Sequence, residues 1–305
     1  MAVKFTPDNT LLMNAKTGKV PAEQANLVIK EVMDTSIITQ LAKYEEMGKL
    51  EKEFTYLAEG PGAYWVEEGK KIETSKAKWL QIKMVAKKLG VILPVSKEFL
   101  NYTQSDFFTA MRPKIAEAFQ AKFDAAALFG TESPWGTGKS LFELAKAKGN
   151  AVKLGTNPGL YDDLNDLMAL VEAGDNEPNA FATIRKFKKN LRGAKDGNSL
   201  PIFNDAKAGA TSEALGLPIA YGNRKAWDEK KALLLTGDFN HMFYGIPQNI
   251  EYKIDESATL TTIVGEDNQP INLFERDLVA LRATMYIAYM VVKDDAFAVL
   301  EPKQA

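Results

Sequence analysis

Two runs of residues with strand character, Phe54–Ala58 and Trp79–Val95, constrain the fold more than any other part of the sequence. They flank a highly charged segment, Gly60–Lys78, that is marked by glycine and proline. In the last part of the second run, Leu89–Val95, Leu and Val recur at every other position, as expected of a strand. The pattern predicts a long two-stranded ribbon, and an isolated ribbon is at best marginally stable in water. Something else must therefore cover it.

The ribbon also carries side chains that suit a contact with a partner. Its aromatic residues have no evident core of their own, and aromatic anchors dominate protein interfaces. Lysines and glutamates are interleaved in its middle segment, whereas a nucleic-acid patch would be basic without that interleaving. We therefore expect a protein contact at the following ribbon residues: Tyr64, Trp65, Glu67, Glu68, Lys70, Lys71 and Trp79.

The rest of the chain reads as a mixture of helices and strands. Residues 1–20 show no periodicity and predict an extended arm, which a short amphipathic helix follows. The clearest helix is Ser105–Leu128, whose apolar residues lie on one stripe. Pro113 in this stretch predicts a kink or a start one turn later. A second helix is predicted over Leu160–Val171. Apolar residues at spacing two over Val279–Val291 predict a long strand, with a helix as the alternative. Short strands are predicted at Ala180–Ile184, Leu217–Tyr221, Ala232–Thr236, His241–Ile246 and Ile250–Ile254.

Composition excludes several classes of enzyme. The 305 residues include no Cys and a single His, so thiol nucleophiles, disulfides and two-histidine metal sites are impossible. A Ser-His-Asp triad could be built only around His241, and no Gly-x-Ser-x-Gly sequence is present. Asp162 and Asp166 could suit a hard cation, but they fit a solvated helix start better. We expect no cofactor.

Charge and hydropathy give two further expectations. The net charge of -2 argues against a nucleic-acid-binding protein, which normally carries a basic excess. The N-terminus has no feature of a signal peptide, and the longest apolar run, Met285–Val292, is too short to cross a membrane. We therefore expect a protein made in the cytoplasm.

The segment Gly136–Ser140 ends like a phosphate-binding P-loop. That motif needs a further glycine where this chain has Ser133, and it needs a preceding strand where the sequence predicts a helix. We interpret the segment as a connection between helices, with Thr137 or Ser140 as the N-cap of the second helix. A cytoplasmic NTP-binding enzyme that uses Gly136–Ser140 is the alternative function.

The order of these parts resembles the major capsid proteins of tailed bacteriophages (Caudoviricetes), whose fold is called the Hong Kong 97 type. The likeness is strongest to shell proteins of phages that infect Gram-positive bacteria, and it rests on several short sequences taken together in order. These are Ala63–Gly69, Ile72–Ser75, Leu93–Leu100, Pro178–Phe181, Leu215–Ile219, Thr236–Phe239, Val279–Ala283 and Ala296–Leu300.

The resemblance implies an α+β fold with four parts. These are an N-terminal arm with a short helix (1–45), an extended two-stranded E-loop (46–95), a peripheral domain with a long spine helix (96–150 and 271–305) and an axial domain (151–270). The E-loop is the predicted ribbon. Its contact residues would then lie against neighbouring subunits.

The resemblance also implies a structural protein without catalysis. Hexamers and pentamers of the chain would self-assemble into an icosahedral shell, first as a procapsid, that encloses the double-stranded DNA genome. The implied partners are other copies of the chain, a separate scaffolding protein, a portal protein and packaged DNA bound without sequence specificity. The protein would be part of the virion, after synthesis in the host bacterial cytoplasm.

Overall fold

A computed structural model describes residues 3–4, 36–59, 78–97, 107–195, 213–264 and 269–303. The helices are α1 (Ile37–Leu41), α2 (Phe107–Phe129), α3 (Leu141–Lys148), α4 (Leu160–Glu172) and α5 (Lys188–Gly193). The strands are β1 (Val3–Lys4), β2 (Lys43–Tyr44), β3 (Glu51–Glu59), β4 (Lys78–Ser96), β5 (Ala151–Lys153), β6 (Ala180–Ile184), β7 (Glu213–Ala214), β8 (Leu217–Gly222), β9 (Leu234–Gly237), β10 (Met242–Asp255), β11 (Thr259–Val264), β12 (Pro270–Asn272), β13 (Leu278–Val291) and β14 (Phe297–Glu301). Within these residues, 3₁₀ turns lie at Arg185–Phe187, Arg224–Ala226 and Phe239–His241.

A five-stranded sheet, in the order β2-β10-β13-β4-β3, holds the long strands. Strand β13 lies at its centre and runs antiparallel to both β10 and β4. This strand was predicted from the apolar spacing over Val279–Val291, and the helix alternative is wrong. Helix α2 packs on the sheet, since the ring of Phe123 lies 6.4 Å from that of Tyr289 on β13.

Strand β4 belongs to two structures at once. Its inner half pairs with β13, from Ala86 opposite Ala288 to Ser96 opposite Leu278. Its outer half pairs with β3, which confirms a two-stranded ribbon. Strand β4 continues from the ribbon into the main sheet, so side chains of that sheet cover the base of the ribbon. Most of the predicted middle segment, residues 60–77, lies outside the described residues.

Helix α2 buries the stripe that the sequence predicted. Ile115, Phe119, Phe123 and Ala126 are all buried, and their spacing of three or four residues places them on one face. The helix begins at Phe107, so Pro113 lies inside it. Proline lacks the N–H that would bond to the carbonyl four residues earlier, but the helix continues through it.

The two strands predicted at His241–Ile246 and Ile250–Ile254 are one strand in the structure. Strand β10 runs without interruption from Met242 to Asp255, and its pairing with β13 shifts register on both sides of Gln248. Pro247 has no N–H to donate to the strand pairing. Two β-bulges therefore accommodate residues 247–249, which the sequence suggested as a turn. His241 itself lies in a 3₁₀ turn before the strand.

A six-stranded sheet, in the order β5-β14-β9-β6-β8-β7, forms the second part of the fold. The C-terminal strand β14 pairs with β5 on one side and with β9 on the other. The predicted division grouped 271–305 with the long helix. Main-chain hydrogen bonds join residues 297–301 to β5 and β9, which lie in the segment predicted as axial.

The two larger sheets share one hydrophobic core. It extends from Phe119 and Phe123 on α2, through Leu281 and Met285 on β13, to Phe297 on β14. A third, three-stranded sheet (β1-β11-β12) has a small core of its own around Leu260 and Ile271. Within the described ranges, no helix is long and apolar enough to cross a membrane.

Candidate subunit interface

The candidate interface begins with the ribbon formed by β3 and β4. Glu51 lies opposite Val85 and Glu59 lies opposite Lys78 in the antiparallel pairing. Of the predicted contact residues, Trp79 lies on β4 opposite Leu57. The other predicted contacts, Tyr64, Trp65, Glu67, Glu68, Lys70 and Lys71, lie outside the described residues.

Apolar side chains and an ion pair hold the base of the ribbon. Met84 is buried in a small cluster with Ala288, and the ring of Phe54 lies 6.1 Å from that of Phe243 on β10. On the exposed side, Lys83 on β4 forms an ion pair with Glu51 on β3. The hydrogen bond and charge of Glu51 raise the pKa of Lys83 above its ordinary value.

Trp135 connects the ribbon base to the loop that follows α2. Its Nε1–H donates a hydrogen bond of 2.9 Å to the carbonyl oxygen of Val85 on β4. Its ring lies 5.6 Å from that of Tyr289 and 6.1 Å from that of Phe123. A recess of about 280 Å³ opens beside it. Nothing in the sequence singles out Trp135, because an aromatic residue in a glycine-rich connection does not reveal what it contacts.

A buried carboxylate fixes the start of α1 to the long helix. Asp124 on α2 is fully buried and accepts hydrogen bonds from the Ser36 hydroxyl and from the Ile37 N–H, the latter at 3.1 Å. Burial raises the pKa of Asp124 from 3.8 to about 7, although these hydrogen bonds partly oppose the rise. The sequence does not reveal the pairing of Ser36 with Asp124, because the two residues are 88 positions apart.

The Gly136–Ser140 segment ends in the N-cap residue of α3 and does not form a phosphate-binding loop. Ser140 and Glu143 form a capping box at the start of α3. The Glu143 carboxylate also accepts the Gly138 N–H at 3.0 Å, so a protein carboxylate holds an N–H of this loop. Helix α2, not a strand, precedes the segment. The structure therefore offers no support for the NTP-binding alternative.

The other polar residues singled out from the sequence have local surroundings. His241 Nε2 lies 3.5 Å from Asp238 Oδ2, and the other oxygen of Asp238, Oδ1, accepts the Asn240 N–H in the same turn. Asp166 accepts a hydrogen bond of 2.7 Å from the side chain of Asn157. Asp162 is exposed in the first turn of α4. Among the residues with described positions, no group of three His, Asp or Glu could hold a metal ion.

The neighbouring Asp163 was not identified from the sequence. It is buried and accepts the N–H groups of Gly155, at 2.7 Å, and Asn157, at 2.8 Å. These bonds fix the loop before α4 to the helix. An acidic residue is favoured in any first helical turn, so the sequence could not distinguish this buried carboxylate from its exposed neighbour Asp162.

Comparisons with known proteins agree with this architecture. The model of the phage capsid family matches residues 18–301. The chain is 46% identical over 299 residues to the major capsid protein of Staphylococcus phage 80alpha. The aligned residues make up 98% of this chain and 89% of the relative. It is 26% identical to a probable major capsid protein of Mycobacterium phage D29, over 93% of this chain and 90% of that one.

Solved structures have the same fold. A structure from Microbacterium phage Oxtober96 superposes with a TM-score of 0.76 at 30% identity and covers 88% of this chain and 91% of its own. The capsid of an empty GTA particle, at 15% identity, shares the fold with a TM-score of 0.65 and covers 99% of this chain and 96% of its own.

The chain therefore belongs to the phage capsid family. Its fold is the α+β Hong Kong 97 type. It is a major capsid protein of a tailed phage, with a structural role as a component of the virion. Members of this family assemble into capsid shells, so the chain associates with copies of itself.

Proposed function

We propose that the ribbon is the main device by which each subunit holds its neighbours in the shell. The observation that carries this proposal is the double role of β4, whose inner half lies in the main sheet and whose outer half extends into the ribbon. A load on the ribbon is thereby transmitted to the centre of the subunit. Many weak contacts of this kind sum to a stable closed shell.

The proposed assembly consists of hexamers and pentamers that form an icosahedral shell around double-stranded DNA. A separate scaffolding protein and a portal protein are the further partners, and synthesis takes place in the host bacterial cytoplasm. The subunit carries out no catalytic step. The loop Gly136–Ser140 supports this view, because Glu143 already accepts the N–H groups of Gly138 and Ser140.

We divide the subunit into an arm (1–45), a ribbon (46–95), a peripheral part around α2 and β13, and an axial part that begins at 151. The pairing of β14 with β5 and β9 supports assigning residues 297–301 to the axial part. The long strand β10 pairs with β13, which supports assigning residues 242–255 to the peripheral part.

The test is the double substitution Tyr64→Ala and Trp65→Ala. Loss of both aromatic anchors removes the proposed contacts with neighbours but leaves the described core unchanged. We expect a folded subunit, judged by its circular dichroism, that yields few particles in electron micrographs when produced with its scaffolding protein. Tyr161→Ala, which truncates an exposed aromatic residue on α4, is the matched control and should assemble normally. A normal particle yield from the double variant would contradict the proposal.

A further inference from the structure

The segment between β6 and the end of α5 is strongly basic. Residues 185–195 contain six cationic side chains and no acidic one, in a chain whose net charge is -2. The cationic residues are Arg185, Lys186, Lys188, Lys189, Arg192 and Lys195. The balanced total charge conceals this local excess.

The fold brings a second basic segment to the same edge of the six-stranded sheet. Strands β6 and β8 are parallel neighbours, and their last paired residues are Ile184 and Gly222. The chain beyond each strand therefore leaves the sheet at one edge. Arg185 directly follows β6, and Arg224 and Lys225 lie just beyond β8.

A recess of about 390 Å³ lies between the two basic segments. Arg185 and Arg224 line it, together with Gln40, Asn223 and other residues that carry no charge. Guanidinium groups present planar forks of donors that match phosphate oxygens. The recess is therefore suited to a phosphate group.

Carboxylates neutralise only part of this cationic patch, defined as residues 185–195 with Arg224 and Lys225. Glu229 pairs with Lys186 and lies 3.6 Å from Arg224, and Glu117 pairs with Lys225 at 2.9 Å. Four other cations of the patch have no carboxylate partner in an ion pair within the described part of the chain. These are Arg185, Lys188, Lys189 and Arg192.

The patch also lacks the apolar anchors of a protein interface. In the described ranges, the large hydrophobic side chains that are exposed all lie elsewhere: Tyr44, Leu50, Ile92, Tyr161 and Phe274. Interfaces with proteins usually depend on such anchors, whereas binding to a DNA backbone depends on charge alone. Duplex DNA therefore fits this surface better than an acidic protein.

We propose that the cationic patch binds the phosphate backbone of the double-stranded DNA inside the shell. The inference rests on the proposed function, in which the shell encloses that DNA. Binding of this kind is independent of sequence and weakens steeply with salt. The chain would then grip its genome at one defined edge, although its total charge is slightly negative.

The test compares two triple variants of the full-length, unassembled subunit. The patch variant carries Arg185→Gln, Lys189→Gln and Arg192→Gln. The control variant, Lys49→Gln with Lys148→Gln and Lys253→Gln, removes the same charge from exposed positions elsewhere. Fluorescence anisotropy with a labelled 20-base-pair duplex measures affinity between 50 and 200 mM salt. Thermal unfolding confirms that both variants are folded.

We expect the patch variant to bind the duplex roughly a hundredfold more weakly at 50 mM salt and only a few-fold more weakly at 200 mM, because its logarithmic salt slope is smaller by about 2 to 3. The control should stay within about threefold of the wild type. Equal affinities of the two variants would overturn the inference. Equally tight binding of polyglutamate to the patch would also overturn it, in favour of an acidic protein partner.

Electron microscopy separates this inference from the proposed function. We expect the patch variant to form shells, because the ribbon residues are unchanged. If the variant forms shells and still binds DNA like the control, only the inference about the patch fails. If the wild type forms no shells with its scaffolding protein, the proposed assembly fails instead.

Discussion

Asp124 is expected to make the stability of the subunit depend on pH in an unusual direction. Its carboxylate is buried between α2 and the start of α1, and only hydrogen bonds from Ser36 and the Ile37 and Ile38 N–H groups oppose the desolvation. The pKa of about 7 in the folded state lies above the ordinary value of 3.8. The folded protein therefore binds this proton more tightly than the unfolded chain does.

The sign of the effect follows from these two values. Between pH 4 and 7 the unfolded chain has already released the proton that the folded protein still holds, so raising the pH favours unfolding. For a pKa that rises from 3.8 to about 7, the contribution of Asp124 to the free energy of unfolding falls by roughly 2–3 kcal/mol between pH 5 and pH 8. Paired surface carboxylates, such as Glu117 with Lys225, act in the opposite direction.

Asp124→Asn isolates this contribution, because asparagine has nearly the same shape and does not titrate. We expect the difference in unfolding free energy, wild type minus variant, to fall by roughly 2–3 kcal/mol from pH 5 to pH 8. The asparagine amide cannot accept every bond that the carboxylate accepts, which adds an offset that is constant with pH. Urea unfolding of the unassembled subunit at four pH values provides the measurement.

Asp162→Asn is the matched control for this experiment. It removes an exposed carboxylate on α4, so the wild-type profile should be retained. A difference between wild type and Asp124→Asn that does not change with pH would refute the reasoning. So would a wild type that gains stability over the variant as the pH rises.

Substitutions at three further positions test single contacts. Gly237→Ala would place a Cβ atom 2.4 Å from the carbonyl oxygen of Ala296, and we expect a loss of about 1–3 kcal/mol in urea unfolding. An unchanged midpoint would show that β9 and β14 separate easily. Ser140→Ala removes the N-cap of α3 and should cost about 1 kcal/mol, whereas Ser140→Thr should cost less. Equal losses would contradict the capping role. Trp135→Phe removes the hydrogen bond to Val85 and should cost about 1 kcal/mol and speed hydrogen exchange at residues 83–87. Unchanged exchange there would argue against the contact.

The ribbon and the long central strand could be predicted from the sequence because strand periodicity is a local property. Side chains alternate across a strand whatever its partners are, so the apolar spacing over Val279–Val291 was enough to predict a strand there. The stripe on α2 was visible for the same reason. The order of such elements, together with the short sequences that accompany them, was enough for a resemblance to the capsid family, which the comparisons confirm.

The sequence could not show how these elements combine. The turn-like residues around Pro247 are absorbed as bulges because β13 supplies a continuous partner along the whole of β10. Strand β14 joins the second sheet because β5 and β9 each offer it backbone hydrogen-bonding groups, one on either side. Both outcomes depend on partners that are remote in sequence.

The candidate functional groups divide in the same way. The basic run at 185–195 can be read from the sequence, but only the parallel pairing of β6 with β8 brings Arg224 beside it. Asp124 is one acidic residue among many until the fold buries it against Ser36. Sequence alone determined the kinds of elements and the family, since these depend on local pattern. Tertiary structure decided which charges are buried, paired or left free, because burial and Coulomb energy depend on distance in space.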